Sequence, residues 1–410
     1  MAGNGEAASS GATRPSFAFG IALGFLSVLG PLSIDLYLPA MPEMAQALGT
    51  THGAVQRTLS AFFLALAAAQ IPIGSFGDRF GRRRPLAIGL ALFVLASIGC
   101  ATAQRVETLI AWRFLQGCGA CAGTAVARAM IRDLHSGHEA ARLMALSFLI
   151  IGISPVLAPY LGSVLLTLLP WRGLFLLLGG LGLVALACAW SLLPESLARE
   201  RRLPRGSPVL PAYLALLGNR SFLAWAVVAG IATTIPFAFV TAAPFVFSRI
   251  YALDPHQYSL LLALNAGCSI AATQFAPGLM RRWGGPKLVW RISAIALALT
   301  ILMGLWALRA PVPLPLFQAF TVSLFVAAGL MLTPAAITAL DAASGGAGAA
   351  AGLLGTIQLA VTAGASAAVS LFPAFSIRPL VGVLGVALML AMMIAFVQQP
   401  RARLDKASAR

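Results

Sequence analysis

Charged residues are scarce in this chain. Only 10% of its 410 residues are Asp, Glu, Lys or Arg, whereas a soluble domain has about 25%. Hydrophobic residues make up 59% of the chain. So few polar side chains cannot cover the surface of a soluble globule, which excludes a cytosolic enzyme, a secreted disulfide-rich scaffold and a disordered protein. The class that remains is an integral membrane protein.

Residues that carry metal or redox chemistry are also few. The chain has five cysteines and four histidines, and the cysteines all fall inside apolar segments. Cys118 and Cys121 form a C-x-x-C pair, but thiolate chemistry needs an exposed, electropositive setting, and this pair lies in the segment GCGACAG. We therefore expect these cysteines to pack, and we predict neither a metal site nor a bound cofactor. The phosphate-binding pattern G-x-x-x-x-G-K-[ST] is missing, which argues against ATP-driven transport.

Long apolar segments are abundant. A helix needs about 20 apolar residues to cross the roughly 30 Å hydrocarbon core of a bilayer. The sequence predicts twelve such transmembrane helices, and hence an all-α integral membrane fold, at residues 17–39, 55–76, 86–103, 108–126, 143–169, 174–193, 222–245, 258–279, 292–308, 314–340, 347–372 and 379–397. The residues before the first segment are too few and too polar for a signal peptide, so that segment is predicted to be a retained helix.

The basic residues indicate the orientation of these helices. If the N-terminus is cytoplasmic, 21 of the 28 Lys and Arg residues fall in inner segments, six fall in outer loops, and Arg113 lies inside a helix. Cytoplasmic segments of membrane proteins carry such an excess of positive charge. Nucleic-acid binding would need a basic patch on a soluble fold, so it is not expected. Both termini and the connection 194–220 are therefore predicted to be cytoplasmic.

The longest polar connection separates two sets of six helices that show a weak internal repeat. Aligning Arg79-Phe80-Gly81 with Arg282-Trp283-Gly284 gives an offset of 203 residues, and the same offset places the first helix on the seventh. Parallel six-helix repeats of this kind occur in secondary transporters. The predicted domains are an N-terminal six-helix bundle at 1–193, a cytoplasmic linker at 194–220 and a C-terminal six-helix bundle at 221–410.

Four motifs resemble those of one transporter family. The connection GSFGDRFGRRR at 74–84 is similar to the G-x-x-x-D-R-x-G-R-R signature of the major facilitator superfamily. The segment PLSIDLYLPAMP at 31–42 resembles its Bcr/CflA drug-resistance branch. The segment RFLQGCGACAG at 113–123 resembles the family's R-x-x-x-G motif, and GISPVLAPYLG at 152–162 resembles the proline and glycine motif of its antiporters.

This resemblance implies a fold of two pseudo-symmetric six-helix bundles and a proton-coupled secondary active transporter. Such a protein exports small amphiphilic drugs or antibiotics across the inner membrane by alternating access. Its partners would be the drug, protons and the lipid bilayer; it would act as a monomer, use the proton-motive force without a cofactor, and not be an enzyme. An uptake symporter or a metabolite exporter of the same fold is the alternative. A membrane-embedded enzyme would need paired carboxylates, a histidine cluster or an activated nucleophile within the helices, and the sequence predicts none.

Apart from Arg57, at the outer end of the second segment, two full charges lie inside predicted helices, Asp35 and Arg113. A charge within a bilayer is costly, so an ionisable residue there marks a functional site. Their counterparts at the 203-residue offset, Ala238 and Leu316, are apolar, which confines the charge chemistry to the N-terminal half. We predict that Asp35 couples transport to protons and that Arg113 tunes it, because burial favours a neutral carboxyl group whereas a nearby arginine favours the charged one. A static ion pair between them is the alternative.

The motifs imply two further groups of site residues. The connection after the second helix is expected to gate the inner side, with an ordinary basic loop as the alternative; its residues are Gly74, Gly77, Asp78, Arg79, Gly81, Arg82 and Arg83. In the fifth helix, Pro155 and Pro159 remove backbone hydrogen bonds, while Gly152 and Gly162 permit close helix contact. These four residues either kink the helix or prevent leak.

A substrate cavity with apolar walls and a few polar groups is also expected. The candidate lining residues are polar or aromatic and lie inside predicted helices, and packing is the alternative for each: Tyr37, Gln70, Gln116, Phe237, Phe239, Asn265 and Gln358.

Overall fold

The computed structural model describes residues 17–134, 137–202, 204, 210–343, 347–372 and 376–398. Over these residues the chain is helical and contains no β-strand. We label its twelve long helices in chain order: α1 Phe17–Asp35, α2 His52–Phe80, α3 Arg83–Thr102, α4 Val106–Leu134, α5 Gly137–Leu165, α6 Trp171–Leu192, α7 Arg220–Arg249, α8 Pro255–Trp283, α9 Gly285–Arg309, α10 Leu314–Asp341, α11 Ala347–Ser370 and α12 Arg378–Gln398. Short helices occur at Leu38–Ala40, Met41–Ala47, Arg199–Arg201 and Leu210–Gly218.

Each predicted transmembrane segment corresponds to one of these long helices. Within the described part of the chain, ten helices are long and apolar enough to cross a membrane. The other two are α4, which carries Arg113 and Gln116 in its interior, and α5, whose described side chains form an apolar helix at Ile150–Leu165. The all-α membrane fold predicted from the sequence is confirmed.

The first helix ends earlier than predicted. Its α-helical part stops at Asp35, and the chain passes through a turn into a second short helix, Met41–Ala47. Pro39 and Pro42 lack the N–H group that a continuing helix requires, and a proline also disfavours helical backbone in the residue before it. Asp35 therefore lies at the end of α1 and not in the interior of a continuous helix.

The internal repeat is visible in the backbone. Helix α2 begins at His52 and ends at Phe80, and α8 begins at Pro255 and ends at Trp283, so both ends are 203 residues apart. Gly81 and Gly284, which follow them, have φ angles of +89° and +78°. Positive φ favours glycine, so the weak sequence match falls on the same sharp turn in both halves.

The buried hydrophobic residues form two clusters, one contributed mostly by α1–α6 and the other mostly by α7–α12. In each half one central helix packs against two others, α4 against α2 and α3, and α10 against α7 and α8. Glycine permits the closest of these crossings, because a Cβ built on Gly119 of α4 would lie 2.6 Å from the backbone N of Phe93 in α3. A boundary therefore lies between the two separately packed bundles, and residues of the candidate site lie along it.

Candidate functional site

Arg113 is fully buried and is contacted from several sides. Its Nη1 donates to the carbonyl O of Ser33, at 3.1 Å, and to Oε1 of Gln116, at 2.6 Å. Its guanidinium carbon lies 4.4 Å from the ring centre of Tyr37 and 4.3 Å from that of Phe62, so two aromatic faces stabilise the charge. Among the described residues its Nε and Nη2 have no hydrogen-bond partner. The arginine therefore keeps unused donors inside the protein.

Asp35 is 3% exposed, and its carboxylate accepts one hydrogen bond from the described residues, from Ser154 Oγ of α5 to Oδ2 at 3.3 Å. A carboxylate has about four acceptor positions, so most of its capacity is unused. No ion pair within 4 Å joins Asp35 to Arg113 in the described part of the chain. The static ion pair is not formed in this conformation, although Arg113 binds the backbone of α1 two residues before Asp35.

Two residues expected to line a substrate cavity instead support Arg113. Gln116 accepts from Arg113, and its own Nε2 donates to Ser97 Oγ at 2.8 Å. The hydroxyl group of Tyr37 is 3.1 Å from Thr58 Oγ1, and this bond fixes the ring that lies over the guanidinium. Both side chains are fully buried in the N-terminal bundle.

Two other candidates lie inside the C-terminal bundle. Phe239 packs edge-to-face against Phe325 with ring centres 5.4 Å apart. Asn265 is fully buried, and its Oδ1 accepts from Gln318 Nε2 at 2.9 Å. Phe237 instead reaches the N-terminal half, where its ring centre lies 4.8 Å from that of Phe63. These residues are therefore distributed over two bundle interiors and the boundary between them.

The two bundles are joined by hydrogen bonds at one end of the molecule, where α2 begins and α7 ends. We call this set of contacts the seam. It consists of four bonds of 3.1 Å between the halves: Gln56 Nε2 to the carbonyl O of Thr241, Ser60 Oγ to Ser366 Oγ, Tyr258 O–H to the carbonyl O of Pro39, and Ser259 Oγ to the carbonyl O of Pro159.

The predicted motif of the fifth helix lies at this seam. Pro155 and Pro159 are both inside α5, which packs against α1 on one side and α8 on the other. The carbonyl O of Pro159 receives the bond from Ser259, and the Cα of Gly162 abuts the carbonyl O of Leu36 so closely that a Cβ would clash. A Cβ built on Gly152 would lie 3.8 Å from the side chain of Ile270 in α8, which is ordinary van der Waals contact. Gly152 and Pro159 therefore face α8 of the second half, whereas Gly162 faces the end of α1 in its own half.

At the other end the halves diverge around a cavity of about 620 Å³. Its walls come from α2 and α4 of the first half, from Tyr213, and from the start of α11 at Gly348–Gly352. Of the predicted residues it includes Gln70, Gly74, Asp78 and Arg82. It includes none of Tyr37, Gln116, Phe237, Phe239, Asn265 and Gln358, so the cavity expected from those six residues is not the one that this conformation forms.

Arg82 is the centre of a network at the mouth of this cavity. Its Nη1 donates to Asp78 Oδ1 at 2.8 Å, and its Nε donates to Asp133 Oδ2 of α4 at 2.7 Å. Its backbone N–H donates to Glu195 Oε1 at 2.7 Å, which ties the connection to the end of α6. Asp133 also accepts from Ser196 at 3.0 Å. Asp133 and Glu195 were not predicted from the sequence, where the one signal for each is an acidic residue close to arginines.

The other residues of the predicted gating connection surround this network. Gly74 faces open space, Arg79 lies in the last turn of α2, and Arg83 Nη2 donates to the carbonyl O of Trp190 at 2.7 Å. A Cβ on Gly77 would lie 3.0 Å from Arg82 Nη1, and one on Gly81 would clash with the carboxylate of Glu195. The absence of a side chain at Gly77 and Gly81 therefore leaves room for the side chains of Arg82 and Glu195.

Buried single charges, a seam at one end and a cavity at the other define a helical membrane transporter with two six-helix halves. The sequence matches the profile of the Major Facilitator Superfamily over residues 23–248, and this chain belongs to that superfamily. The resemblance drawn from the four motifs is confirmed.

Three proteins of similar sequence carry different names. Over 359 residues, covering 85% of this chain and 87% of the relative, the sequence is 34% identical to the uncharacterized MFS-type transporter YdgK of Bacillus subtilis (strain 168). It is 29% identical to the bicyclomycin resistance protein homolog of Haemophilus influenzae, covering 85% and 88% of the two chains. It is 32% identical to the multidrug resistance protein MdtL of Escherichia coli, covering 62% and 66%.

Solved structures show the same fold. A D-xylose-proton symporter superposes with a TM-score of 0.72 at 15% identity, over 94% of this chain and 98% of that one. A bacterial homolog of the human lysosomal transporter Spinster, in an inward-facing and occupied conformation, superposes with a TM-score of 0.71 at 15% identity, over 95% and 98%. At this identity the likeness shows the fold alone.

The network around Arg82 predicts a stability effect. Arg82→Gln removes the bonds to Asp78 and Asp133 and leaves Asp133 half-buried without its charge partner. Hydrogen bonds to charged groups contribute about 1.5–3 kcal/mol each to the free energy of unfolding. We expect a lower unfolding temperature in detergent, measured by tryptophan fluorescence. The matched control is Arg84→Gln, since Arg84 is exposed and lies two residues away. Equal unfolding temperatures for the two variants would contradict the network.

Proposed function

We propose that this chain is a proton-coupled exporter of small amphiphilic drugs that works by alternating access. The observation that carries the proposal is the position of Asp35 directly beside the seam. Asp35 precedes Leu36, whose carbonyl group abuts Gly162, and lies four residues before Pro39, whose carbonyl O accepts the bond from Tyr258. A change in the charge of Asp35 thus acts on the contacts that hold the two halves together.

The geometry supports a specific sequence of events. The observed conformation is closed at the seam and open at the cavity, where the predicted cytoplasmic arginines lie. Substrate enters the cavity from that side, the cavity closes, and the seam opens. Each neutral hydrogen bond of the seam contributes about 0.5–1.5 kcal/mol, so one protonation event is large enough to shift this balance. A proton moving down 100 mV releases about 2.3 kcal/mol, which sustains a roughly fifty-fold substrate gradient.

Closure of the cavity also gives Asp78 a partner in the second half. Asp78 and the start of α11 at Gly348 line opposite walls of the cavity. The N-terminus of a helix carries a partial positive charge, which attracts a carboxylate. We propose that this contact forms only in the conformation in which the cavity is closed, and that the network around Arg82 positions Asp78 for it.

The proposed substrate class rests on relatives whose names state resistance to bicyclomycin and to multiple drugs. The experiment that tests it is a panel of minimum inhibitory concentrations in a pump-deficient bacterial host that expresses this protein. Export predicts higher inhibitory concentrations for several unrelated drugs, and abolition of that increase by an uncoupler. An uptake symporter of the same fold would leave inhibitory concentrations unchanged or lower them.

Asp35→Asn keeps the shape of the side chain and removes its titration. We expect it to abolish uphill, uncoupler-sensitive export of a fluorescent amphiphilic probe while the protein is still inserted at wild-type levels, and Arg113→Ala to impair coupling in the same way. The measurement is probe accumulation in whole cells with and without an uncoupler. Uphill export by Asp35→Asn with proton flux at the wild-type rate would refute the assigned role.

Locking the seam gives a second prediction. Ser60 Oγ and Ser366 Oγ are 3.1 Å apart across the two halves, which suits a disulfide after substitution by cysteine. In a variant without the five native cysteines, oxidised Ser60→Cys/Ser366→Cys is expected to lose export, and a reductant is expected to restore it. Each single cysteine variant serves as a control. Undiminished export by the fully cross-linked protein would show that the seam does not open.

We propose that the protein lies in the inner membrane with both termini and the linker in the cytoplasm. The linker position Arg205 and the terminal position Arg410 lie outside the described residues. Reporter fusions at these two positions are expected to be active with a cytoplasmic enzyme and silent with a periplasmic one. The opposite pattern at either position would overturn the orientation, and with it the direction assigned to the cavity.

A further inference from the structure

Two concave surfaces of the C-terminal half meet at Arg378, at the same end of the molecule as the seam. The first, which we call the head cavity, has a volume of about 550 Å³ and lies between the end of α7, the α9–α10 connection and the start of α12. The second, the chain groove, has a volume of about 650 Å³ and is lined by Phe372, which follows α11, and by Gly382, Val383 and Val386 of α12. Arg378 lines both.

The head cavity is positively charged. Arg309 and Arg378 line it, and none of the described residues that line either surface is acidic. Within the described part of the chain neither arginine belongs to an ion pair, and the one bond found for the Arg378 side chain runs from its Nε to the carbonyl O of Ala307, at 3.1 Å. Helix α12 begins at Arg378, so the partial positive charge of its N-terminus adds to the two guanidinium groups. An anionic group is therefore favoured here.

The chain groove is apolar and faces outward from the bundle. A Cβ built on Gly382 would meet no atom within 4 Å, so the missing side chain leaves the floor of the groove open. Val386 beside it is 63% exposed. The groove follows α12 from Pro379 to Val386, about 10 Å along the helix axis in the direction of the membrane interior. This shape accommodates part of an acyl chain.

We propose that the two surfaces together bind one anionic phospholipid. Its phosphate-bearing head group lies in the head cavity against Arg309 and Arg378, and one acyl chain lies in the chain groove. A lipid is the molecule that has both parts and that surrounds this face of the protein. The excess of positive charge in cytoplasmic segments does not account for these two arginines, because both lie in outer loops of the predicted topology. The proposal is independent of the transported substrate.

The test compares lipids of equal chains and different charge on the purified full-length protein. Native mass spectrometry measures binding of dioleoyl phosphatidylglycerol and dioleoyl phosphatidylcholine to the wild type, to Arg309→Gln and to Arg309→Gln/Arg378→Gln. We expect the anionic lipid to bind more tightly than the zwitterionic lipid to the wild type. Each arginine is expected to contribute about fivefold of this preference, and the double variant to lose it. Arg105→Gln, which removes an exposed charge of an outer loop of the first half, is the matched control and should keep the preference.

A second variant tests the groove without changing any charge. Gly382→Leu fills the floor of the chain groove and is expected to weaken binding of phosphatidylglycerol, whereas Gly278→Leu, at another open position on α8, is not. Free glycerol phosphate distinguishes a phosphate site from a lipid site, and we expect it not to compete. Equal binding of the two lipids to the wild type, an unchanged preference in Arg309→Gln, or full competition by glycerol phosphate would each overturn the proposal.

Discussion

A charge in a low-dielectric interior must be compensated by its surroundings, and Arg113 imposes this constraint on the whole N-terminal bundle. Its position requires an oxygen from α1, which Ser33 supplies, and a second from Gln116 on its own helix. It also requires aromatic faces, which Tyr37 and Phe62 supply. These partners lie on α1, in the turn that follows it, on α2 and on α4, so the single buried guanidinium fixes how these three helices pack. Among the described residues of the C-terminal half no charged side chain is buried, and this half packs through aromatic side chains.

The end of α1 connects this buried chemistry to the boundary between the halves. Pro39 prevents α1 from continuing regularly beyond Asp35, and the segment that follows contacts both α5 and α8 at the seam. A carboxylate with unused acceptor capacity therefore lies within a few residues of the seam contacts. In a continuous helix Asp35 would be held by regular packing alone, and its charge would be coupled to the seam only weakly.

Much of the fold could be predicted from the sequence because a membrane imposes simple rules. Segments of about 20 apolar residues predicted the transmembrane helices. The 203-residue offset aligned Gly81 with Gly284, and both residues have a positive φ angle. The roles of the cavity candidates could not be predicted in the same way. In a membrane protein the lipid-facing, bundle-interior and cavity-facing sides of a helix are all apolar. The periodicity of the sequence therefore does not distinguish a cavity-facing position from a packed one for Phe239 or Asn265. Asp133 and Glu195 were missed because their partner, Arg82, lies far away in sequence.

Pulsed EPR tests, without a substrate, the proposal that the protonation state of Asp35 decides which end of the molecule is closed. Spin labels on Ala129→Cys and Ala351→Cys, in a variant without native cysteines, report the width of the cavity. Distances are measured from about pH 5 to about pH 9, a range that spans the titration of buried carboxyl groups. With Asp35 present, we expect the distribution of distances between the two labels to shift between a long and a short distance across this pH range. With Asp35→Asn, we expect the same distribution of distances at every pH. The same pH-dependent shift in both proteins would contradict the account.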